Sequence, residues 1–187
     1  MELQQVIVGH KSLADYATIV SRGLMEQLKA LAEPLAGKRV LHLSATAFGG
    51  GVAEILYTLV PLMRDAGLDT EWRVIYGQDE FFDVTKAIHN ALQGAPRSLS
   101  DEEKQIFRRY NLGNAEARTD SFDYVIVHDP QPAGMIDHAR ACGRHWIWRC
   151  HIDLSTPNED VLDFLLPWLH SYDSMVFHRE EYVCDSA

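Results

Sequence analysis

Two hydrophobic periodicities alternate along this chain and outline its secondary structure. Short, mostly apolar runs are typical of strands buried inside a sheet. The clearest runs lie at residues 40–43 and 122–127, and each stops at polar or small residues. This pattern predicts six strands, at residues 5–8, 40–44, 70–76, 122–128, 146–150 and 174–177.

Between the strands, apolar residues recur every three or four positions, the spacing of an amphipathic helix. Residues 12–32 carry such a stripe, which ends before Pro34. A second helix is predicted over 51–66, where Pro61 should introduce a kink and Gly67 should mark the end. Further helices are predicted at 79–93 and 100–111, in a short segment after residue 132, and from about residue 157.

Two of these helices have specific start signals. Ser100 and Glu103 have the spacing of a capping box, in which each side chain accepts a backbone N–H of the other residue. Pro157 is predicted in the first turn of the last helix, followed by Glu159 as a capping carboxylate. Strands alternating with helices predict an α/β fold, a Rossmann-like parallel sheet with helices on both faces. Residues 1–187 are predicted to form one domain.

The most informative stretch is residues 40–56, where a buried strand passes through Gly49, Gly50 and Gly51 into a helix. Adjacent glycines permit positive φ angles and let a ligand approach the backbone closely. Such a turn aims backbone N–H groups at an anion or a sugar. It lacks the G-x-G-x-x-G dinucleotide pattern, since position 54 is Glu, and no Gly-Lys-Ser/Thr of a P-loop follows. The alternative interpretation of the three glycines is a tight connection between strand and helix that binds no ligand.

Polar side chains also follow two other strands. His128, Asp129 and Gln131 come after the strand at 122–128, and Arg149, His151 and Asp153 come at the end of the strand at 146–150. In a parallel sheet these ends and the glycine turn meet at one edge, where ligands of such sheets bind. Carboxylate and imidazole groups at this edge of the sheet can form hydrogen bonds with sugar hydroxyls. The sequence therefore predicts a shared polar cleft.

Other interpretations of these residues remain open. Each histidine alone could be a satisfied structural residue. His128, Asp129, His151 and Asp153 have the chemistry of metal ligands, but no spacing enforces a metal site, and none is predicted. A nucleophilic serine is disfavoured because no G-x-S-x-G turn is present.

The helix at 79–93 has a polar face. Lys86, Asn90 and Gln93, or Lys86, His89 and Gln93, fall on one side of it, opposite an apolar stripe. A solvated helix face would have the same pattern.

Composition narrows the choice of partners. A formal net charge of −10 argues against nucleic acid or an anionic membrane surface as the main partner. No apolar run approaches the ~20 residues that span a bilayer. Cys142, Cys150 and Cys184 are odd in number and lack zinc-site spacing, so we expect a reduced, cytoplasmic protein in which they are small apolar core residues.

Four segments, in this order, make the chain resemble the amino-terminal half of the retaining family 4 glycosyltransferases, which have the GT-B fold. The likeness is closest to the trehalose glycosyltransferring synthases. It extends over nearly the whole chain and is carried by residues 41–54, 81–94, 127–133 and 148–155.

The resemblance implies specific roles. Catalytic positions would be His151, which contacts the donor glucose beside the bond being broken, and Asp153. The donor diphosphate would lie against Gly49, Gly50, Gly51, Glu54 and Arg149. The acceptor sugar would contact His128, Asp129, Gln131, Asn90 and Gln93.

The implied reaction transfers glucose from a nucleoside-diphosphate glucose to glucose, with retention at the anomeric carbon and no tightly bound cofactor. A carboxy-terminal domain carrying the cations for the diphosphate would be absent from residues 1–187, so the chain alone should be inactive. A homodimer is a further expectation. A trehalose phosphorylase domain, a non-catalytic sugar-binding module and a nicotinamide-dependent oxidoreductase are the competing hypotheses.

Overall fold

The computed structural model describes residues 3–116 and 121–183. Its strands are β1 (Gln4–Gln5), β2 (Arg39–Ser44), β3 (Asp69–Val74), β4 (Phe122–His128), β5 (Gly143–Arg149) and β6 (Ser174–Val176). Its α-helices are α1 (Arg22–Ala32), α2 (Gly51–Asp65), α3 (Asp79–Leu92), α4 (Asp101–Glu116), α5 (Ile136–Ala139) and α6 (Glu159–Leu169).

The strands form one six-stranded sheet in the order β1-β3-β2-β4-β5-β6. All neighbouring pairs are parallel except β1 and β3, which are antiparallel. The predicted α/β fold is confirmed, and the short antiparallel edge strand is the one departure from a parallel sheet. Strand order reverses between β2 and β4, so their carboxyl ends border a crevice of the kind that binds ligands in open sheets.

Two apolar clusters cover the two faces of the sheet. The larger cluster includes Leu41, Leu43, Trp146 and Trp148 and continues into α3, α4 and α6. The smaller one packs Trp72 and Val74 of β3 against α2. Side chains alternate between the faces of a strand. His42, between Leu41 and Leu43, is therefore directed towards α2 rather than into the larger cluster.

The prediction of one helix over 12–32 is wrong. The segment contains a 3-10 helix, Leu13–Tyr16, and then α1, which starts afresh where the Ser21 side chain accepts a hydrogen bond from the Leu24 N–H. No residue of α1 is buried, so its apolar stripe is not a core face. A local N-cap, worth about 1 kcal/mol, can decide such a boundary when packing does not.

Several boundary predictions are settled by local hydrogen bonds. The capping box is confirmed, since Ser100 N donates to Glu103 Oε2 and Glu103 N donates to Ser100 Oγ. Pro157 lies outside α6, because Asn158 is the N-cap and accepts from Val161 N. The predicted proline position within the first turn is therefore wrong. β1 is Gln4–Gln5 rather than the predicted 5–8, and just beyond it Val6 N donates to the carbonyl oxygen of Trp72.

The structure bears on the expectations for the cysteines and for membrane-spanning helices. Cys150 is fully buried in the larger cluster, as expected of an apolar core residue, whereas Cys142 is half-buried and Cys184 lies outside the described residues. Within residues 3–116 and 121–183, no helix has the length and apolar character needed to cross a membrane.

Candidate functional site

A cleft of about 550 Å³ lies at the carboxyl ends of β2, β4 and β5, and we call it the central cleft. The predicted residues Gly49, Gly50, Gly51, His128, Asp129, Gln131, Arg149 and His151 all line it. The structure thus brings together residues from three separate segments, as the parallel arrangement of the strands led us to expect.

One wall of the central cleft is backbone. We call Gly49–Gly51 the glycine turn; Gly49 and Gly50 have φ angles of 72° and 92°, and Gly50 is the N-cap of α2. A Cβ atom at any of the three would meet no heavy atom within 4 Å, so the requirement for glycine at 49 and 50 is conformational rather than steric. The first N–H groups of α2, which have no partner inside a helix, therefore lie beside the cleft.

Three histidines lie in a row at the cleft, and we call them the histidine string; His128 and His151 line the cleft, and His42 contacts His128 without lining it. His42 Nδ1 lies 2.9 Å from His128 Nε2, and His128 Nδ1 lies 2.8 Å from His151 Nε2. The three rings are roughly parallel, with successive centroids 5.2 and 5.1 Å apart. His42 and His128 are buried, and His151 is half-buried at the cleft surface.

Burial keeps these imidazoles neutral. It lowers the pKa of His42 to about 4. Burial, with a smaller effect from His42 and His151, holds the pKa of His128 well below its usual value. Burial, followed by the positive charge of Arg149, lowers the pKa of His151 to about 4. At neutral pH each ring therefore carries one proton, and each hydrogen bond joins one N–H to one lone pair.

Asp129 holds the string's outer end in place. Its Oδ1 accepts a 2.8 Å hydrogen bond from His151 N, and its carbonyl oxygen accepts from Trp148 Nε1. Its φ of 62° makes it the one non-glycine residue with positive φ in the described part of the chain. Asp tolerates this left-handed conformation better than most residues. Burial raises the pKa of its carboxyl group.

Arg149 lines the cleft at the end of β5. Its Nη1 donates to the carbonyl oxygen of Val176 at 3.0 Å and to that of Cys150 at 3.3 Å. The guanidinium is thus tied to the ends of β5 and β6, and it remains half-buried. Part of its hydrogen-bonding capacity is already committed to protein carbonyls.

A second cleft, of about 700 Å³, adjoins the central cleft and shares Ala45, Thr46, His89 and Gln131 with it. We call it the outer cleft. Its remaining lining combines aromatic and cationic side chains, among them Phe48, Tyr76, Phe82 and Lys86. The Gln131 side-chain oxygen is buried and has no hydrogen-bond partner among the described residues. An unpaired acceptor between the two clefts is suited to a ligand hydroxyl.

Four predicted site residues lie away from the central cleft lining. Glu54, Asn90 and Gln93 are exposed, and none of the three lines either cleft. The Asp153 carboxylate instead accepts a 2.8 Å hydrogen bond from Ser155 N. Their proposed roles stay predictions.

The geometry also bears on the competing metal-site hypothesis. The ring nitrogens that His128 and His151 turn towards each other are hydrogen-bonded, and the Asp129 carboxylate faces a backbone N–H. In the described ranges, no three His, Cys, Asp or Glu side chains gather as metal ligands.

Sequence reasoning did not connect His42 or His178 with the cleft, and it named His89 only as an alternative on the polar face of the helix at 79–93. His89 and His178 line the central cleft, and His42 supports it from below. A signal for His42 was available, because a histidine within the apolar run of a buried strand needs a buried partner. The partner could not be named, since it comes from another strand.

Comparison with known proteins gives a consistent result. Residues 42–184 match the model of a family described as trehalose synthase, N-terminal domain. Over 185 residues the chain is 54% identical to a trehalose synthase of Rubrobacter xylanophilus, covering 96% of this chain and 44% of that protein. Trehalose synthases of Thermococcus litoralis and Pyrococcus horikoshii are 50% and 44% identical, over 92% and 97% of this chain and 42% and 44% of theirs. The chain thus spans less than half the length of these relatives.

Proposed function

This chain belongs to the trehalose synthase N-terminal domain family, and from that premise we propose that residues 1–187 form the acceptor-side half of a retaining glucosyltransferase. The complete protein would transfer glucose from a nucleoside-diphosphate glucose to glucose, giving trehalose. The relatives are more than twice as long, which supports a second, nucleotide-binding domain as the other half of the site.

The observation that supports this proposal most directly is that two chemically different sets of groups line one cleft. The glycine turn and the start of α2 offer N–H donors, which suit phosphate oxygens. His151, the outer member of the histidine string, offers a neutral imidazole and Asp129 offers a carboxyl group, and both suit sugar hydroxyls. A sugar diphosphate carries both kinds of group.

In the proposed reaction, the bond between the donor's anomeric carbon and the diphosphate oxygen breaks. The acceptor hydroxyl oxygen bonds to the same carbon on the same face, and its proton passes to the leaving phosphate oxygen. This chain's own residues contribute positioning and electrostatics. His151 orients the donor glucose, and the N–H groups near Gly50 and Gly51 offset charge on the diphosphate.

A second domain is needed because the central cleft is poor in cations. Arg149 is the one Arg or Lys among its described lining residues, and its Nη1 already donates to two carbonyls. We therefore expect this chain alone to bind a nucleoside-diphosphate glucose weakly, with a dissociation constant of about 1 mM or higher. Glucose binding should persist, since its contacts are proposed to come from this domain.

Calorimetric titration of the chain with glucose, trehalose and nucleoside-diphosphate glucoses tests this expectation. Weak donor binding with detectable glucose binding is the expected result, and the glucose signal should weaken in a Gln131→Ala variant, which removes the unpaired side-chain oxygen. Trehalose formation by the isolated chain would contradict the half-enzyme interpretation. Absence of any sugar binding would favour a different function for the cleft.

Synthase and phosphorylase activities can be separated in the complete protein. The proposal expects trehalose from a nucleoside-diphosphate glucose and glucose, with little cleavage of trehalose by inorganic phosphate. Rapid phosphorolysis without nucleotide would establish the phosphorylase alternative. Proton NMR of the product reports whether the anomeric configuration is retained.

A further inference from the structure

The histidine string ends at a sulfur atom. His42 Nε2, the ring nitrogen that does not face His128, lies 3.3 Å from the Sδ atom of Met63 on α2. A thioether sulfur carries no proton, so it can only accept a hydrogen bond. The ring nitrogen facing Met63 is therefore the one that gains from carrying the proton.

This one contact determines which nitrogen is protonated in all three rings, because each neutral ring has one N–H and one lone pair. If His42 carries its proton on Nε2, its Nδ1 is a lone pair and His128 Nε2 must donate to it. His128 Nδ1 is then a lone pair, and His151 Nε2 must donate to that. The other consistent order reverses every proton and leaves a lone pair against the sulfur.

We propose that Met63 and His42 act as positioning residues that fix the tautomer of His151, so that His151 presents an unprotonated Nδ1 to the central cleft. Among the described residues no group hydrogen-bonds to this Nδ1, and the His151 side chain lines the cleft. Met63 does not line either cleft, so it acts on the ligand only through the string.

The fixed tautomer determines which ligand group His151 accepts. A lone pair at Nδ1 accepts a hydrogen bond from a hydroxyl, but it opposes the lone pairs of a phosphate oxygen. Resting on the proposed function, this assigns His151 to a hydroxyl of the sugar and leaves the phosphates to the glycine turn. The string would thus help set the direction in which a sugar phosphate enters the cleft.

Nitrogen-15 NMR of the unaltered chain, labelled at histidine, tests the tautomer directly. Protonated and unprotonated ring nitrogens have distinct shifts and couplings, and single-histidine variants assign the signals. At pH near 7.5 we expect His42, His128 and His151 all to be protonated on Nε2. Protonation of all three on Nδ1 would overturn the proposal without any variant having to fold.

The substitution Met63→Leu tests the cause. It nearly conserves volume, so the fold should survive, but it removes the acceptor. We expect the Nδ1-protonated fraction of His151 to rise about fivefold relative to the Nε2-protonated one, the ratio set by one ordinary hydrogen bond. Met175→Leu is the matched control, since Met175 is also partly buried but makes none of these contacts. Equal tautomer ratios in both variants would show that Met63 does not set the order.

Ligand titrations followed at His151 test the selectivity and separate this inference from the proposed function. Glucose should shift the Nδ1 signal, and inorganic phosphate at equal concentration should leave it nearly unchanged. A response to phosphate and not to glucose would overturn the assignment of His151 to a hydroxyl. If neither ligand binds but the three Nε2 tautomers are observed, the proposed function fails while the role of Met63 stands.

Discussion

The histidine string and the glycine turn both contribute to the lining of the central cleft but take their shapes from different interactions. The string is ordered by side chains of β2, β4, the segment just after β5, and α2, at contacts of 2.8 to 3.3 Å. The turn is ordered by backbone conformation alone, with Cβ positions open to solvent and Phe48 beside it 81% exposed. The string is held by side-chain contacts between distant segments, and the turn is shaped by local sequence.

This difference indicates how each wall should respond to change. Disturbing a buried hydrogen-bonded group leaves its partners unsatisfied and affects the fold and the site together. Disturbing an exposed turn affects mainly the local backbone and what binds there. Four changes to the protein or its pH test this contrast, from the largest expected effect to the smallest.

Acidification should affect the string most. Burial holds the pKa of His42 at about 4, against about 6.5 in an unfolded chain. The unfolded chain therefore takes up more protons between these values, so stability is full above pH 6.5 and is lost as the pH falls towards 4. His42 alone accounts for about 3 kcal/mol of this loss.

The free energy of unfolding in urea, measured from pH 7.5 to 4, checks this prediction. His42→Phe should reduce the slope with pH, whereas His10→Phe, at an exposed position, should leave it unchanged. The raised pKa of Asp129 acts in the opposite direction but is common to both variants. Equal slopes in the two variants would contradict the assignment to the string.

His151→Ala in the complete protein should reduce turnover about 100-fold, with a small change in stability. The reason is that His151 is the half-buried member of the string and lines the cleft, so its loss removes a preorganised polar contact. Steady-state kinetics with thermal unfolding measure both effects. His145→Ala, at an exposed position within β5, is the control. Full turnover in a folded His151→Ala protein would remove the role assigned to this residue.

Asp129→Ala should lower the free energy of unfolding by about 2 kcal/mol. Alanine fits a φ of 62° poorly, and the His151 N–H loses its acceptor. Asp129→Asn should cost less, because asparagine tolerates the left-handed region and keeps an acceptor oxygen. Asp153→Ala is the matched control, since that carboxylate also accepts from a backbone N–H, in a turn before α6. Losses of the same size in all three variants would argue against strain at Asp129.

Gly50→Ala should cost about 1 kcal/mol, the smallest effect. The expected cause is the φ of 92°, because no heavy atom lies within 4 Å of the added Cβ. Gly51→Ala, one residue later and inside α2, should be close to neutral. Chemical unfolding compares the two. A larger loss at Gly51 than at Gly50 would mean that packing, rather than backbone conformation, shapes the glycine turn.

Local signals in the sequence determined most of the fold. Apolar runs located six strands, and the capping box and Gly67 gave helix boundaries that short-range hydrogen bonds and backbone conformation fix. The glycine turn could be predicted for the same reason, since its positive φ angles depend on consecutive glycines in the sequence. The segment 12–32 was predicted as one helix because an amphipathic stripe does not reveal where a local N-cap such as Ser21 starts a helix afresh.

The tertiary structure decided which of these residues contact one another. The sequence placed His128 and His151 at strand ends, but only the parallel pairing of β2, β4 and β5 brings them within hydrogen-bonding distance of each other and of His42. Met63 contacts His42 because α2 packs on the face of the sheet away from the larger cluster. Local propensity acts along the chain, whereas the direction of a proton in a buried string depends on contacts between residues far apart in sequence.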